Sequence, residues 1–156
     1  AAWLEKRAAG KPTNEAIVRR LYEEFFNQQK LEVADDIIAP NLTYHALFSQ
    51  PVLAAPPNLS GPDWAKEQAV RHWRERFPDI HYTVDELIEA GDKVITLITT
   101  RGTHRHGKAI TWQSVDVQRL EDGKIVEIWN SWDRLGYWQQ MGLVPETREL
   151  LARAGI

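Results

Sequence analysis

The fold is decided by residues 81–133, which read HYTVDELIEAGDKVITLITTRGTHRHGKAITWQSVDVQRLEDGKIVEIWNSWD. Hydrophobic residues recur here with a period of two, and β-branched and aromatic residues are frequent, as is typical of strands. Turn sequences containing Gly91 and Gly123 separate the segments. The pattern predicts four strands in an antiparallel meander, and these strands are 81–90, 93–104, 109–120 and 124–133.

Helices are predicted on both sides of this stretch. Apolar residues recur at helical spacing in TNEAIVRRLYEEFFNQQ (13–29), and shorter helices are predicted at 31–39 and 63–77, with a first strand at 41–48 between them. Two short helices follow residue 133. Most of the helices precede most of the strands along the chain, and this order indicates an α+β fold. We expect a curved antiparallel sheet wrapped around the N-terminal helices, forming a cone-shaped α+β barrel with an internal pocket.

Length and composition indicate one domain over residues 1–156, with residues 1–12 as a peripheral or flexible segment. The chain is 43% hydrophobic and 26% charged, which is typical of globular proteins, and no apolar run reaches the ~18 residues of a membrane helix. A net charge of -3 without a basic stripe predicts no nucleic-acid partner. No signal peptide is visible in the sequence, and we expect a cytoplasmic protein.

The sequence lacks the motifs of several kinds of chemistry. His104 and His106 form an H-x-H pattern, but no third ligand stands at a supporting spacing, so we predict no metal site and interpret the pair as a hairpin tip or a pocket rim. Nucleophile elbows, phosphate loops and dinucleotide fingerprints are missing from the sequence. We therefore predict neither a hydrolase triad nor a nucleotide-binding site. The proline-rich segment 49–62 is predicted to be a loop that could cover a site.

Both faces of the predicted strand 124–133 carry large apolar residues. Alternation places Ile125, Glu127, Trp129, Ser131 and Asp133 on one face, and the intervening residues on the other. A sheet that is apolar on both sides needs a cover on each. We therefore expect helices on one face and a second copy of the chain on the other, which predicts a homodimer through the outer face.

Asp133 is the leading candidate for chemistry. It ends a largely apolar strand and shares a face with Trp129. A carboxyl group buried beside aromatic rings can both take and give a proton near neutral pH, so Asp133 is a candidate general acid and base at the pocket. The other interpretation is that Asp133 only caps the following helix.

A family resemblance supports the catalytic interpretation. From Ala16 to Val144 the sequence resembles the SnoaL-type polyketide cyclases of the nuclear transport factor 2 superfamily. The residues that carry the resemblance are Tyr22, Phe26-Asn27, Tyr44-His45, Phe77-Pro78-Asp79, Gly102-Thr103-His104, Asp122-Gly123-Lys124-Ile125, Glu127, Trp129, Asp133, Gln140 and Gly142. The last segment, Asp133 with Gln140 and Gly142, is similar to the one that carries the family's catalytic aspartate.

The resemblance implies a usually dimeric α+β barrel that closes a hydrophobic polyketide by intramolecular aldol chemistry, without metal or cofactor. It implies Asp133 as the acid and base, with His45 as a second catalytic candidate and Arg101 as a further donor. His45 could equally be a structural histidine, and Arg101 could pair with Asp133, Asp116 or Glu127. The predicted substrate-binding residues are Tyr22, Phe26, Tyr44, Trp73, Phe77, Arg101, His104 at the mouth and Trp129 in the wall.

Two other functions stay open. Limonene epoxide hydrolases resemble this superfamily and use an Arg-x-Asp on one strand, but this chain has Arg101-Gly102-Thr103, with threonine in place of the acid. The other is a binding module that holds a hydrophobic ligand without converting it. The preferred prediction is a lyase or isomerase that acts on a small hydrophobic carbonyl compound by proton transfer.

Overall fold

The helices of the protein come mainly before the sheet, as predicted. The structure, a computed structural model, describes residue 10 and residues 12–47 and 60–156. Two helices begin as α-helix and continue as π-helix. The helical elements are α1 (Asn14–Arg20), continued by the π-helical segment Leu21–Asn27; α2 (Val33–Ile37); α3 (Gly61–Glu67), continued by the π-helical segment Gln68–Arg74; α4 (Arg134–Met141); and α5 (Thr147–Ala154).

Five strands form one sheet, and the predicted α+β fold is confirmed. The strands are β1 (Ile38–Ala46), β2 (His81–Ala90), β3 (Lys93–Thr103), β4 (Ala109–Glu121) and β5 (Lys124–Trp132). Their order across the sheet is β1-β5-β4-β3-β2, so β1 and β2 are the two edges of a curved sheet that does not close on itself.

One pairing differs from the predicted antiparallel sheet. The strands β2 to β5 pair antiparallel with their neighbours, but β1 pairs with β5 in parallel. The reason is connectivity: β1 and β5 are far apart in sequence, so no tight turn forces them to run in opposite directions. β1 also starts at Ile38, earlier than the predicted residue 41, because the helix before it ends at Ile37.

The main core lies between the helices and the inner face of the sheet. Thr13 caps α1 by accepting a hydrogen bond from the backbone N–H of Ala16, at 3.1 Å. The fully buried side chains in this core include Ile17, Val18, Phe25, Ile37, Ile38, Ile98 and Ile125. Their burial removes the apolar face of α1 from water, which is the main favourable term in folding.

Asn27 ties the end of the first π-helical segment to the edge strand β2. Its side-chain amide donates to the carbonyl oxygen of Tyr82 and its amide oxygen accepts from the N–H of Tyr82, both at 2.8 Å. Further along β2, the pairing with β3 shifts register between Val84 and Glu86. The double contact fixes the aromatic residues of the helix against β2.

A second, aromatic cluster closes the other end of the inner face. It contains Phe77, Ile80, Ile110 and Trp112. Phe77 lies so close to β3 that a Cβ atom on Gly102 would come within 3.1 Å of its side chain. Close packing rather than backbone conformation therefore favours glycine at this position, because a larger residue would push Phe77 aside by a few tenths of an ångström.

Two predictions fall wholly or partly on residues that are not described. The predicted loop 49–62 lies outside the described residues except for residue 60, which caps α3, and residues 61–62, which begin that helix. The predicted peripheral segment 1–12 is described only at residues 10 and 12. In the described part of the chain, no helix combines the length and the apolar character needed to cross a membrane.

Candidate active site

A cavity of about 170 Å³ lies between the helices and the inner face of the sheet. Its apolar lining consists of Leu21, Phe26, Ile38, Leu42, Trp64, Ala65, Trp73, Ile98, Trp112, Ile128 and Trp132. Its polar lining consists of Tyr22, Tyr44, Gln68, His72, Tyr82, Thr100, Ser114, Asp116, Asn130 and Arg134. A mainly apolar hollow with a few converging polar groups is typical of a small-molecule site.

Asp116 is the carboxylate among these lining residues. It lies on β4, whose inward residues alternate with outward ones, and it pairs across the sheet with Thr96 on β3 and Asn130 on β5. The hydroxyl of Tyr22 donates to Oδ2 of Asp116 at 2.7 Å, and the side-chain amide of Asn130 donates to Oδ1. Both oxygens of the carboxyl group are therefore held in place.

Burial gives this carboxyl group an unusual proton affinity. Desolvation raises the pKa of Asp116 to about 6, although the hydrogen bonds from Tyr22 and Asn130 act in the opposite direction. A group with a pKa near the working pH can serve both as base and, once protonated, as acid. Asp116 thus has the protonation behaviour that the sequence analysis sought in another residue.

Three tyrosines surround the carboxyl group. Burial, reinforced by the negative charge of Asp116, raises the pKa values of Tyr22 and Tyr44, and burial also raises the pKa of Tyr82. All three phenols therefore keep their protons at neutral pH. Within residues 12–47 and 60–156, the hydroxyl groups of Tyr44 and Tyr82 form no hydrogen bond, so both remain available as donors to a ligand.

Indole rings form one wall of the cavity. The rings of Trp73 and Trp112 stack with centroids 5.3 Å apart, and Trp132 meets Trp73 edge to face at 5.9 Å. The guanidinium group of Arg134 lies over the ring of Trp138 at 4.9 Å and near that of Trp132 at 5.7 Å. Such a wall offers flat apolar area to a conjugated or ring-shaped ligand.

His72 is a second titratable group at the cavity. Burial, followed by the positive charge of Arg76, lowers the pKa of His72 to about 4. Nη1 of Arg76 lies 3.2 Å from Nε2 of the His72 ring, close enough to donate a hydrogen bond to a neutral imidazole. At neutral pH this histidine is uncharged, so it contributes no positive charge that would stabilise the carboxylate of Asp116.

The predicted binding residues divide between two places on the inner side. Tyr22, Phe26, Tyr44 and Trp73 line the cavity. The remaining inner candidates, Phe77 and His104, are buried in the aromatic cluster beyond it, with ring centroids 5.1 Å apart. His104 is therefore part of the packing rather than a residue of the cavity mouth.

The structure corrects the expected position of Asp133. Its side chain is exposed and does not line the cavity; Oδ1 accepts a hydrogen bond from the N–H of Gly136 at 2.8 Å, so Asp133 caps α4. The inward residues of β5 are Ile128, Asn130 and Trp132, and the next residue turns to the opposite side. Strand alternation thus places Asp133 outside.

Three other candidates also lie on the outer face. His45 bonds through Nε2 to Oε1 of Glu127 at 2.7 Å and stacks on Trp129, with ring centroids 5.1 Å apart. Arg101 is exposed on the outer side of β3. The physical reason is again alternation, because their inward neighbours Tyr44, Thr100, Ile128 and Asn130 line the cavity. The Arg101, Thr103 and Asp133 arrangement of the epoxide hydrolase hypothesis is not formed at this cavity.

Asp116 and Asn130 are the site residues that sequence analysis missed. The signal was present: Ser114, Asp116 and Gln118 are polar residues at the inward positions of a strand whose other inward residues are apolar. Buried polar groups require partners, so such a run indicates a network rather than plain core. Their inward direction becomes known only when it is established which of the two alternating sets of side chains on the strand faces the helices.

No arrangement of ligands for a metal ion is found in the described ranges. His104 and His106 lie side by side with ring centroids 4.9 Å apart, but no third His, Cys, Asp or Glu joins them among residues 12–47 and 60–156. The backbone N–H of His106 instead donates to Nδ1 of His104. The pair serves the local turn.

Comparisons with known proteins extend this geometry. A family model described as SnoaL-like polyketide cyclase matches residues 16–141. A search of curated proteins finds no match. The chain is similar to a solved structure of a proposed polyketide cyclase from Bacillus cereus ATCC 10987, with 29% identity, a TM-score of 0.68, and coverage of 83% of this chain and 80% of that chain.

Two further solved structures are similar. IdmH, a proposed polyketide cyclase from Streptomyces antibioticus, is 28% identical with a TM-score of 0.67, over 81% of this chain and 96% of that chain. AclR, a proposed hydroxylase from Streptomyces galilaeus, is 19% identical with a TM-score of 0.69, over 98% of this chain and 90% of that chain. The second likeness shows the fold alone.

Proposed function

The chain belongs to the SnoaL-like polyketide cyclase family, and on that premise we propose that it is an enzyme of cyclase or isomerase type that moves a proton on a small hydrophobic carbonyl compound at Asp116. The observation that carries the proposal is the setting of this carboxyl group. It faces an apolar cavity, accepts hydrogen bonds on both oxygens, and has a pKa raised to about 6 by burial. The family resemblance further implies that no cofactor takes part.

Proton removal is the first step of the proposed reaction. The carboxylate of Asp116 takes a proton from the carbon next to a carbonyl group of the substrate, and the electron pair of the broken C–H bond stays on the substrate as an enolate. Bringing base and substrate together in a water-poor cavity lowers the barrier, since the reacting groups need no further ordering. The apolar lining selects a hydrophobic substrate.

Stabilisation of the enolate falls to phenol donors. Tyr44 and Tyr82 carry protonated hydroxyl groups at the cavity, and neither hydroxyl is engaged by another described residue. A donor already in place at the point where negative charge develops is worth more than one that must reorganise. Tyr22 is less suited to this role because its hydroxyl already donates to Asp116.

The proton returns in the last step. In a cyclase reaction the enolate carbon attacks a second carbonyl carbon, and the new alkoxide takes the proton from Asp116. In an isomerase reaction the same proton goes to a different carbon. Either course restores the carboxylate of Asp116. The Trp73 and Trp112 rings supply a flat surface against which a ring or a conjugated chain can be folded.

The test uses exchange of carbon-bound hydrogen, because the natural substrate is not needed for it. We expect the protein to accelerate deuterium incorporation next to the carbonyl of 2-tetralone in D2O, followed by proton NMR. Asp116→Asn preserves the shape of the side chain but removes the base, and should lower the exchange rate by about 10²- to 10⁴-fold. The matched variant is Asp133→Asn, which changes an exposed helix cap and should leave the rate unchanged.

The pair of variants separates the two aspartates. Loss of exchange in Asp133→Asn with full activity in Asp116→Asn would return the catalytic role to the residue expected from the sequence. If 2-tetralone binds with equal affinity to wild type and Asp116→Asn and neither protein accelerates exchange, the ligand-binding function replaces the enzymatic one for this ligand.

We also propose that two copies of the chain associate through the outer face of the sheet. Leu97 on β3 and Val115 on β4 point away from the helices and are 36% and 45% exposed. These apolar side chains belong to neighbouring strands and so form one surface. A second copy that presents the same surface would remove it from water.

A further inference from the structure

A chain of buried side chains stands behind Asp116. Gln118 on β4 and Thr96 on β3 are fully buried, and neither lines the cavity. The hydroxyl of Thr96 donates to Oε1 of Gln118 at 3.0 Å, and Nε2 of Gln118 donates to the hydroxyl of Tyr22 at 2.8 Å. The hydroxyl of Tyr22 in turn donates to Asp116 at 2.7 Å.

The directions of these hydrogen bonds depend on one another. An ionised carboxylate only accepts, so the single proton of the Tyr22 hydroxyl must point to Asp116. Tyr22 can then only accept from Gln118, and the side-chain NH2 of Gln118 must face it. The amide oxygen of Gln118 is thereby turned to Thr96, whose hydroxyl must donate. Reversal of any one bond would leave two donors or two acceptors face to face.

The surroundings of Asp116 contain few other groups that could set its proton affinity. The ionisable side chains that interact with it are the phenols of Tyr22 from the π-helical segment, Tyr44 from β1 and Tyr82 from β2, and all three are uncharged at neutral pH. β3 and β5 contribute the uncharged Thr96 and Asn130. The pKa of Asp116 is shifted by burial and by the hydrogen bonds from Tyr22 and Asn130, and no cation is among these causes. Hydrogen-bond direction is therefore the means available to favour the carboxylate.

We propose that Gln118 and Thr96 are positioning residues of this site, which hold the phenol of Tyr22 as a donor to Asp116 and thereby keep the carboxylate ready to accept a proton from the cavity. The inference rests on the proposed function of Asp116. It adds that Gln118 and Thr96, which do not line the cavity, fix the direction of the hydrogen bond from Tyr22 and so favour the ionised form of Asp116.

The arrangement also bears on the return of the proton. A protonated carboxyl group is a weaker acceptor than a carboxylate, so the hydrogen bonds from Tyr22 and Asn130 weaken when Asp116 takes a proton. Because Gln118 keeps the Tyr22 hydroxyl from reversing, that loss is not recovered elsewhere in the chain. The network therefore favours release of the proton to the product.

Direct titration of Asp116 tests the inference. The side-chain carboxyl carbons are followed by NMR in protein labelled with ¹³C at aspartate, and Asp116→Asn identifies the signal by its absence. Gln118→Met keeps the approximate volume but removes the donor to Tyr22, and Thr96→Val removes the donor to Gln118 without changing shape. We expect both to raise the Asp116 midpoint, by roughly 0.5 to 1 pH unit for Gln118→Met and less for Thr96→Val.

The matched control is Thr99→Val. It makes the same substitution on the same strand and also removes a hydrogen bond, from Thr99 to Asp85 on the outer face. The Asp116 midpoint should stay at the wild-type value in this variant. In the active protein, the acidic limb of the exchange-rate profile should move with the NMR midpoint in Gln118→Met and Thr96→Val, a change that loss of packing alone would not produce.

The outcomes distinguish this inference from the proposed function. An unchanged Asp116 midpoint in folded Gln118→Met, or in Thr96→Val if the first variant does not fold, would overturn the positioning role even where exchange depends on Asp116. A midpoint that moves as expected in a protein without any exchange activity would leave the hydrogen-bond network standing and remove the proposed reaction.

Discussion

The two faces of the sheet hold carboxyl groups in contrasting surroundings. On the inner face, Asp116 lies in an apolar cavity and its pKa is raised by burial. On the outer face, Glu127 receives hydrogen bonds from Arg119 at 2.9 Å and from His45, and its pKa is lowered, chiefly by Arg119. Both groups accept two side-chain hydrogen bonds, so the bonds alone do not explain the difference.

Solvent access and partner charge explain it. The outer group is in contact with water and has a guanidinium partner, and both favour the ionised form. The inner group has neutral partners and little water, so desolvation prevails. An acid and base that works near neutral pH is therefore expected on the inner face, although the outer face holds the more conspicuous dyad of histidine and carboxylate.

The largest expected difference between the two faces is in packing. Ile125 on β5 is fully buried, whereas Ile88 on β2 is 45% exposed. Ile125→Ala should lower the free energy of unfolding by about 2 to 5 kcal/mol, because it leaves a cavity in the core. Ile88→Ala should cost less than about 1 kcal/mol. Urea denaturation at one fixed protein concentration measures both, and equal costs would show that the faces are not packed as described.

The pH dependence of stability should differ in sign between the two carboxyl groups. A folded pKa of about 6 exceeds the value of ~3.9 in the unfolded chain, so the folded state binds more protons between these pH values. Relative to Asp116→Asn, the wild type should therefore lose up to ~3 kcal/mol of stability as the pH rises from 4 to 7.

Glu127→Gln provides the opposite case. Because the folded pKa of Glu127 is lowered, its stabilising contribution is present above the pKa of the unfolded chain and is lost as the pH falls. The difference between wild type and Glu127→Gln should thus increase with pH, and it should be small because the group is open to solvent. Thermal unfolding between pH 3 and pH 7 gives both curves; parallel slopes would contradict the assignment of the two faces.

The smallest effect on the fold is expected at the proposed dimer surface. Val115→Lys places a charge among exposed apolar side chains, and should change the free energy of unfolding of the single chain by no more than about 0.5 kcal/mol. It should nevertheless convert dimer to monomer in analytical ultracentrifugation. Arg101→Ala, an exposed change on the same face, is the control. A wild type that sediments as a monomer would exclude this dimer.

Local patterns predicted the strands well. The four strands of residues 81–133 appear within a few residues of their predicted bounds, because a period of two and glycine-containing turns are properties of the segments themselves. The helix predicted over 13–29 is present as α-helix followed by π-helix. The parallel pairing of β1 was not predictable in this way, since it depends on contacts far apart in sequence.

The inward and outward faces of the strands were harder to predict. Alternation sorts the residues of β5 into two sets but does not say which set meets the helices. Trp129 and Asp133 were expected to face the pocket, yet Asn130 and Trp132 face it. A register shift between Arg119 and Leu120 also breaks the alternation in β5. Residues two positions apart normally share a face, but here Ile125 points inward and Glu127 points outward.

The double contact between Asn27 and Tyr82 has a consequence for how the molecule behaves in a crowded solution. A strand at the margin of an open sheet presents free N–H and C=O groups on which another chain can add a strand, which is a route to aggregation. On β2 the amide of Asn27 occupies such a pair at Tyr82, and the irregular register beyond Val84 interrupts the rest. The residue that anchors a helix also protects the margin of the sheet from unwanted growth.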